Sequence, residues 1–165
     1  MKLSSLFLRN TEPTEPEPAV AGPKPIRLIL GDRDLVGWID PGEERVSDLL
    51  QRGTPLPFLP GGPTSRRWIS VDPAEILVAV PPPHVSPPER RLQRQQHEVV
   101  IRIGGWMVGG TAHLMPGEEY DPYLRSTRQF LPLTDATLGR EGDEAPSAFE
   151  TLIVNLKRVD EFRVA

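Results

Sequence analysis

The chain has 165 residues, of which 38% are hydrophobic and 25% are charged, and its formal net charge is −4. This length allows one ordinary domain or two small ones, and no stretch has the roughly 18 consecutive apolar residues that a membrane-spanning helix needs. The absence of cysteine excludes disulfides, thiolate nucleophiles and cysteine-ligated metal sites, and the acidic balance argues against a general nucleic-acid binder.

Residues 1–25 are predicted to be a disordered arm. Proline alternates with Glu, Thr, Ala and Lys over residues 11–25, a composition that buries too little apolar area to fold. Residues 1–10 contain a short apolar cluster followed by an arginine: Leu3, Leu6, Phe7, Leu8 and Arg9. One interpretation is a frayed terminus. The other is a docking peptide, in which these five residues bind a protein partner or a membrane surface.

Residues 26–80 are predicted to form a first β-module. Apolar residues alternate with others from position 26 to 30, as in a half-buried strand. A short helix is expected near 47–52, with Ser47 as its cap and Asp48 in its first turn. The expected strands lie near 26–31, 34–40, 56–60 and 67–80.

Residues 81–97 are predicted to be a proline-rich spacer. The segment begins with three consecutive prolines, which favour a stiff polyproline II conformation. Such a spacer would fix the relative placement of the modules that it connects.

Residues 98–165 are predicted to form a second β-module. A helix is expected near 121–127, with Asp121 as its cap and Pro122 at its first position, and residues 139–147 are expected to be a mobile polar loop. The expected strands lie near 98–104, 106–115, 129–134 and 149–164. Glycines in the two hairpin turns, Gly31-Asp32 and Gly104-Gly105, suit positive φ angles.

Short motifs recur in the same order in both modules. Pro41-Gly42-Glu43-Glu44 is repeated at residues 116–119, and Phe58-Leu59-Pro60 is repeated at residues 130–132. We therefore predict a mainly β protein with short helices (α+β), built by tandem duplication of a small β-β-α-β-β barrel or sheet module.

No residue pattern predicts catalysis or a bound cofactor. The histidines, His84, His97 and His113, lack the spacing that places two imidazoles on one helix face. Paired carboxylates lie in glycine- and proline-rich turns, where water screens them. We therefore predict no catalytic residue, cofactor, metal or small-molecule substrate, and a protein that is not an enzyme.

Nucleic-acid binding is also not expected. Residues 26–80 hold six basic and eight acidic side chains, and residues 99–165 hold seven and ten. Neither half is therefore basic, and the clustered arginines have no aromatic side chains interleaved with them. These arginines are Arg66, Arg67, Arg90, Arg91 and Arg94.

The C-terminal part of the chain, over residues 101–165, resembles a known group of sequences. Residues 130–136 read FLPLTDA and residues 149–155 read FETLIVN. This pattern resembles an uncharacterised bacterial family of small β-rich domains, a domain of unknown function, in which two such strands follow each other. The first module departs from the pattern at Pro57 and Gly61-Gly62, as a degenerate copy would. The resemblance implies a small barrel or sheet with one helix and a non-enzymatic role.

The predicted function is that of a non-catalytic structural, scaffolding or assembly subunit of a larger protein complex. An extrinsic subunit of a membrane-bound energy-converting complex would suit the apolar arm and the stiff spacer. Its partners would be other protein subunits. The predicted location is the cytoplasm, either free or peripheral on the cytoplasmic face of a membrane complex. The alternative is a regulatory tandem β-barrel that binds a small ligand or nucleic acid.

Overall fold

The computed structural model describes residues 22–61, 67–83, 95–114 and 128–165, and the prediction of a mainly β protein is confirmed for them. One helix, α1 (Val46–Gln51), and two 3₁₀ helices, Pro73–Glu75 and Leu156–Arg158, accompany the strands in these ranges. The strands are β1 (Lys24–Leu30), β2 (Asp34–Ile39), β3 (Leu56–Pro60), β4 (Ile69–Val71), β5 (Ile76–Val80), β6 (Gln95–Ile103), β7 (Trp106–Leu114), β8 (Phe130–Arg140), β9 (Ser147–Asn155) and β10 (Glu161–Val164).

All ten strands belong to one antiparallel sheet, in the order β10-β6-β7-β8-β9-β5-β1-β2-β3-β4. Residues 24–80, the first half, contribute β5-β1-β2-β3-β4, and residues 95–164, the second half, contribute β10-β6-β7-β8-β9. The strand order within the two halves is therefore the same. The described pairings form an open sheet that ends at β4 and β10, so the expected barrel closure is not confirmed.

The pairing register within the two halves also agrees. Ile26 of β1 opposes Gly37 of β2, and Val99 of β6 opposes Gly110 of β7. The separation in sequence from Ile26 to Val99 equals that from Gly37 to Gly110. The sequence offset between the halves is therefore constant over their first two strands.

The third strands align differently from the motif prediction. Leu56 of β3 and Leu131 of β8 occupy the same register position, opposite Val71 of β4 and Val154 of β9 respectively. The register therefore does not align the two Phe-Leu-Pro motifs, which are displaced by three positions. An odd displacement reverses the sheet face of every side chain, and the motif match arose from similar composition rather than equivalent positions.

Both long strands predicted at 67–80 and 149–164 are interrupted by a 3₁₀ helix. The Oδ1 atom of Asp72 accepts a hydrogen bond from the N–H of Ala74 at 3.0 Å, and Oδ1 of Asn155 accepts one from the N–H of Lys157 at 3.1 Å. Such Asx turns offer the backbone an alternative to the sheet ladder. Each predicted strand is consequently two strands with a turn between them.

The helix in the first half begins differently from the prediction. Its N-cap is Arg45, whose side chain makes no capping hydrogen bond. Ser47 lies inside the helix, so its predicted capping role is wrong, whereas Asp48 lies in the first turn as predicted. The helix predicted at 121–127 lies outside the described residues.

The hairpin turns differ between the halves. Gly104 and Gly105 join β6 to β7 with φ angles of 54° and 81°, as predicted. Gly31 has no positive φ, and the β1–β2 turn is closed by a 2.7 Å hydrogen bond from the N–H of Leu30 to the carbonyl of Arg33.

The polar loop predicted at 139–147 is present but shorter, because it spans residues 141–146 between β8 and β9. Gly139 and Arg140 continue β8, and Ser147 already belongs to β9. The N–H of Arg140 donates to the Asp143 carboxylate at 3.0 Å, and the N–H of Asp143 donates to the Arg140 carbonyl at 3.0 Å. These reciprocal bonds hold the end of the β8–β9 hairpin.

Two apolar clusters pack against the sheet and meet at its centre. Neighbouring residues Leu28 and Ile29 of β1 belong to different clusters. Since adjacent side chains of a strand point to opposite faces, β1 is buried on both sides. The first-half cluster also contains Phe130 and Ile153 from the second half, whereas Ile29 packs in the second-half cluster. The two halves therefore share their cores.

Candidate interaction surface

The predicted docking peptide falls outside the described part of the chain. Its five residues are Leu3, Leu6, Phe7, Leu8 and Arg9, and their role as a partner-binding segment stays a prediction. Arg66 and the spacer arginines, Arg90, Arg91 and Arg94, also lie outside the described ranges. Arg67 is described and exposed.

The polar side chains that sequence analysis considered are dispersed. The Nε2 atom of His113 lies 2.7 Å from Oγ1 of Thr134. Within the described ranges, no three His, Asp or Glu side chains are grouped so that they could hold a metal ion. In the same ranges, no helix has both the length and the apolar character needed to cross a membrane.

The best-defined ion pair joins β1 and β2. The guanidinium of Arg27 donates two hydrogen bonds, of 2.9 and 2.6 Å, to the carboxylate of Asp34. These bonds lower the pKa of Asp34 from its ordinary value, although partial burial opposes the shift, and Arg140 adds a further attraction. The same bonds raise the pKa of Arg27. The ion pair mainly links the neighbouring strands β1 and β2.

A surface cleft of about 290 Å³ lies beside the junction of the two halves. Arg158 donates from Nε to the carbonyl of Ala74 at 2.9 Å, which links the two 3₁₀ helices next to this cleft. The carboxylate of Asp32 lies 3.7 Å from the guanidinium of Arg33, and both side chains are exposed. The lining residues are Leu30, Gly31, Asp32, Arg33, Glu75, Leu77 and Arg158.

The junction itself is formed by two strand edges. β9, the fourth strand of the second half, pairs with β5, the fifth strand of the first half. The pairs are Val78 with Val154 and Ala79 with Ile153. The fully buried Asn155 donates from Nδ2 to the carbonyl of Ile76 at 2.8 Å, which adds a side-chain bond to the paired backbones.

Helix α1 adds a second link across the junction. The side-chain oxygen of Gln51, at the end of α1, accepts hydrogen bonds from the N–H groups of Gln129 and Phe130 at 3.1 and 3.0 Å. The carbonyl of Gln129 accepts from the N–H of Leu156 at 2.6 Å. The first half therefore holds the start of β8 through the Gln51 side chain, and Leu156 of the second half adds a backbone bond.

The counterpart edges, β4 and β10, end the described sheet and carry exposed apolar side chains. Trp68, immediately before β4, is 45% exposed, and Ile69 in β4 is 37% exposed. Val164 in β10 is 48% exposed. Exposed apolar groups on the end strands of a sheet are typical of a surface that binds another protein.

The backbone direction at both edges is fixed by their inner neighbours. Ser70 opposes Pro57, which has no N–H to donate, so the hydrogen-bonding groups of Ser70 are expected to point away from β3. At the other edge, Ala165 donates its N–H to the carbonyl of Glu98 at 2.8 Å. Alternation then directs the N–H of Val164 outward. Ser70 and Val164 are therefore positioned to pair with an added strand.

The β4 edge was not predicted, because residues 67–80 were assigned to one continuous strand. The available signal was Asp72-Pro73, since an aspartate before a proline favours a turn. Recognition of that turn would have separated β4 from β5 and left Trp68 and Ile69 on a short strand of their own.

Comparisons of the chain with protein-family models, with curated proteins and with solved structures found no match.

Proposed function

We propose that this protein is a non-catalytic assembly subunit that binds other protein subunits through the open edges β4 and β10. One observation carries the proposal. Within the chain, an edge of one half is already closed by an edge of the other, while the two counterpart edges carry exposed Trp68 and Val164. Addition of a strand to such an edge supplies backbone hydrogen bonds, and side-chain contacts provide specificity.

A tandem duplication is part of this proposal. Its support is the shared strand order, the constant sequence offset over the first two strands, and the Asx turns at Asp72 and Asn155 in the same place. Two copies of one module that bind each other edge to edge would have arisen from a module that bound its own kind. Edge binding would then be older than the fusion of the copies.

The apolar arm gives the assembly its second proposed contact. A tether of proline-interrupted residues, extended at about 3 Å per residue, carries a docking peptide tens of ångströms from the sheet. We expect deletion of residues 1–10 to leave the melting temperature unchanged and to weaken association with the native complex. A fall of several degrees, or unchanged association, would contradict this role. In the extrinsic-subunit version of the proposal, the complex would be bound to a membrane.

The edges are tested by proline substitutions in the native host. Ser70→Pro and Val164→Pro each remove an outward N–H, and proline is tolerated at the edge of a sheet. The matched controls, Ser70→Ala and Val164→Ala, keep the N–H. We expect the wild type and both alanine variants to sediment in a complex larger than the monomer, and the proline variants to move to lighter fractions.

Two results would overturn the proposed function. One is a wild-type protein that sediments as a free monomer in fresh extracts. The other is proline variants that remain in the complex although circular dichroism shows them to be folded. A proline variant that unfolds is replaced by Ser70→Lys, which places a charge on the same edge and retains the backbone donor.

A further inference from the structure

The junction between the two halves shows that the edge formed by a fourth strand pairs with the edge formed by a fifth strand. The outer edge of β9 pairs with the outer edge of β5. By strand order, the counterpart of β9 in the first half is β4, and the counterpart of β5 in the second half is β10. One chain therefore presents, at the two ends of its described sheet, the same two kinds of edge that join at its centre.

We propose, resting on the assembly function above, that β4 of one copy pairs antiparallel with β10 of a second copy, head to tail. The internal register predicts the external one, because the fourth and fifth strands have the same sequence offset between the halves. Val154 opposes Val78 at the internal junction. By the shared offset, Val71 is the counterpart of Val154, and Glu161 is the counterpart of Val78. The same register between two copies therefore places Val71 opposite Glu161 of the next copy.

This register brings exposed apolar side chains together. Continuation of the pairing from Val71 and Glu161 places Trp68 opposite Val164. Both side chains are nearly half exposed in the single chain, at 45% and 48%. Pairs of an aromatic and a β-branched side chain stabilise antiparallel strands, and their mutual burial removes apolar surface from water. The strand order and the register did not require apolar side chains at these two positions, so their identity is a second observation that favours the contact.

The two halves have different residues at one position of the contact, and this difference is expected to make the external contact weaker than the internal one. Asn155 donates from Nδ2 to the carbonyl of Ile76 at the internal junction. Asp72 holds the equivalent position, and an ionised carboxylate has no proton to donate to the corresponding carbonyl, that of Val159. We therefore expect reversible, concentration-dependent association, which Asp72→Asn strengthens by restoring the donor.

The geometry also determines the kind of assembly. Because the β4 and β10 edges differ, the contact is heterologous, and repeated contacts close into a ring or continue as an open chain. An assembly limited to a symmetric dimer, in which β4 pairs with β4, is inconsistent with the proposal.

Cysteine cross-linking in the full-length protein tests the register directly, since the native chain has no cysteine. Ile69 and Arg163 are exposed and become opposed in the proposed contact. Their pair is of the closely spaced, non-hydrogen-bonded type, whose Cα separation suits a disulfide. The Ile69→Cys and Arg163→Cys variants carry tags of different size, and the two proteins are mixed and mildly oxidised. Val36→Cys, a 67% exposed position on the interior strand β2, reports random collision.

We expect the mixed heterodimer to form at least several-fold faster than Val36→Cys dimers, and the double variant to give a ladder or one closed species. Faster homodimers of the Ile69→Cys chain would show β4–β4 pairing and overturn the proposal. Cross-linking no faster than the Val36→Cys control would overturn it as well.

Sedimentation velocity over a concentration series provides a second measurement. Asp72→Asn should tighten self-association several-fold. Asp40→Asn is the matched control, because the Asp40 carboxylate also accepts from a backbone N–H two residues on, that of Gly42, but Asp40 follows the interior strand β2 whereas Asp72 follows the end strand β4. No change with Asp72→Asn, or an equal change with Asp40→Asn, would contradict the transferred register.

These experiments separate the inference from the proposed function. If cross-linking stays at the collision rate while Ser70→Pro still releases the protein from its native complex, the edge binds a different protein. The second-copy inference then fails and the assembly function stands. If the folded proline variants remain in the native complex, the assembly function itself fails.

Discussion

The fourth strands of the two halves occupy the same place in the strand order and have opposite environments. β9 has nine residues, and its Leu152, Ile153 and Val154 are all buried. β4 has three residues, and only Val71 is buried. A strand that is apolar on both faces becomes an interior strand, and a short strand that is polar on one face remains an edge. The side chains and lengths of the two strands therefore match the interior place of β9 and the end place of β4.

The largest effect on stability is expected when side chains are removed at equivalent positions of the two fourth strands. Ile153 is 2% exposed and packs in the first-half core, whereas its counterpart Ser70 is exposed. We expect Ile153→Ala to lower the free energy of unfolding by about 2–5 kcal/mol and Ser70→Ala to change it by less than about 0.5 kcal/mol. Urea denaturation measures both. Because the cores are shared, Ile153→Ala should shift a single transition, and a shift confined to one of two transitions would contradict the shared core.

The next test compares the two Asx-turn residues. Asn155→Ala leaves the buried carbonyl of Ile76 without its donor, at a cost of about 1–3 kcal/mol. Asp72→Ala removes only an exposed bond to the N–H of Ala74, which is worth about 0.5–1 kcal/mol. The melting temperature of Asn155→Ala in thermal unfolding should therefore be well below that of Asp72→Ala. Equal losses would show that Asn155 contributes only its turn.

Asn155→Asp separates the two functions of the amide. It keeps the oxygen that accepts from the N–H of Lys157 and removes the donor to Ile76. We expect it to be at least as destabilising as Asn155→Ala, because it also places a charge in a fully buried position.

A smaller difference is expected between the hairpin glycines Gly31 and Gly104. A Cβ at Gly104 would lie 2.7 Å from Cδ1 of Leu77, and its φ of 54° is unfavourable for alanine. Nothing lies within 4 Å of a Cβ at Gly31, where φ is ordinary. We expect Gly104→Ala to cost about 1–2 kcal/mol and Gly31→Ala to be neutral or to stabilise by up to about 1 kcal/mol. A loss of stability with Gly31→Ala would contradict the difference between the turns.

Much of the fold could be predicted from local sequence patterns. Alternation located β1 and β6 to within a few residues, the strands predicted at 34–40 and 106–115 match β2 and β7 equally closely, and the glycine pair located the turn between β6 and β7. Positions decided by contacts between distant segments could not be predicted in this way. The motif match at Phe58 and Phe130 is an example, because only strand pairing fixes the register of β3 and β8.

The candidate surface was harder to predict than the fold for the same reason. Trp68 and Val164 are ordinary apolar residues in sequence, and their exposure depends on which strands end the sheet. That order follows from the pairing of β5 with β9, between which β6, β7 and β8 intervene in the chain. No local pattern encodes such a pairing, whereas the docking peptide, which stays a prediction, was proposed from composition alone.

The smallest expected effect concerns an ion pair that only the first half has. Arg27 and Asp34 are bonded across β1 and β2, and their counterparts in the second half, at the constant offset of the first two strands, are Val100 and Met107. The bonds from Arg27 lower the pKa of Asp34, so the folded protein binds a proton there less readily than the unfolded chain. The stability due to this pair is therefore fully present above the ordinary aspartate pKa of about 3.9 and is lost as pH falls through the lower folded value.

Asp34→Asn tests this dependence. Because the side chains of Arg27 and Asp34 are 31% and 43% exposed, we expect a loss below about 1 kcal/mol at pH 7. The difference from wild type in urea denaturation should diminish as the pH is lowered from 5 to 2.5, because the wild type loses the same interaction. Asp32→Asn is the control, since that carboxylate is 87% exposed and lies 3.7 Å from its only ion-pair partner in the described chain, Arg33. A difference that stays constant over this pH range would show that Asp34 acts through packing rather than charge.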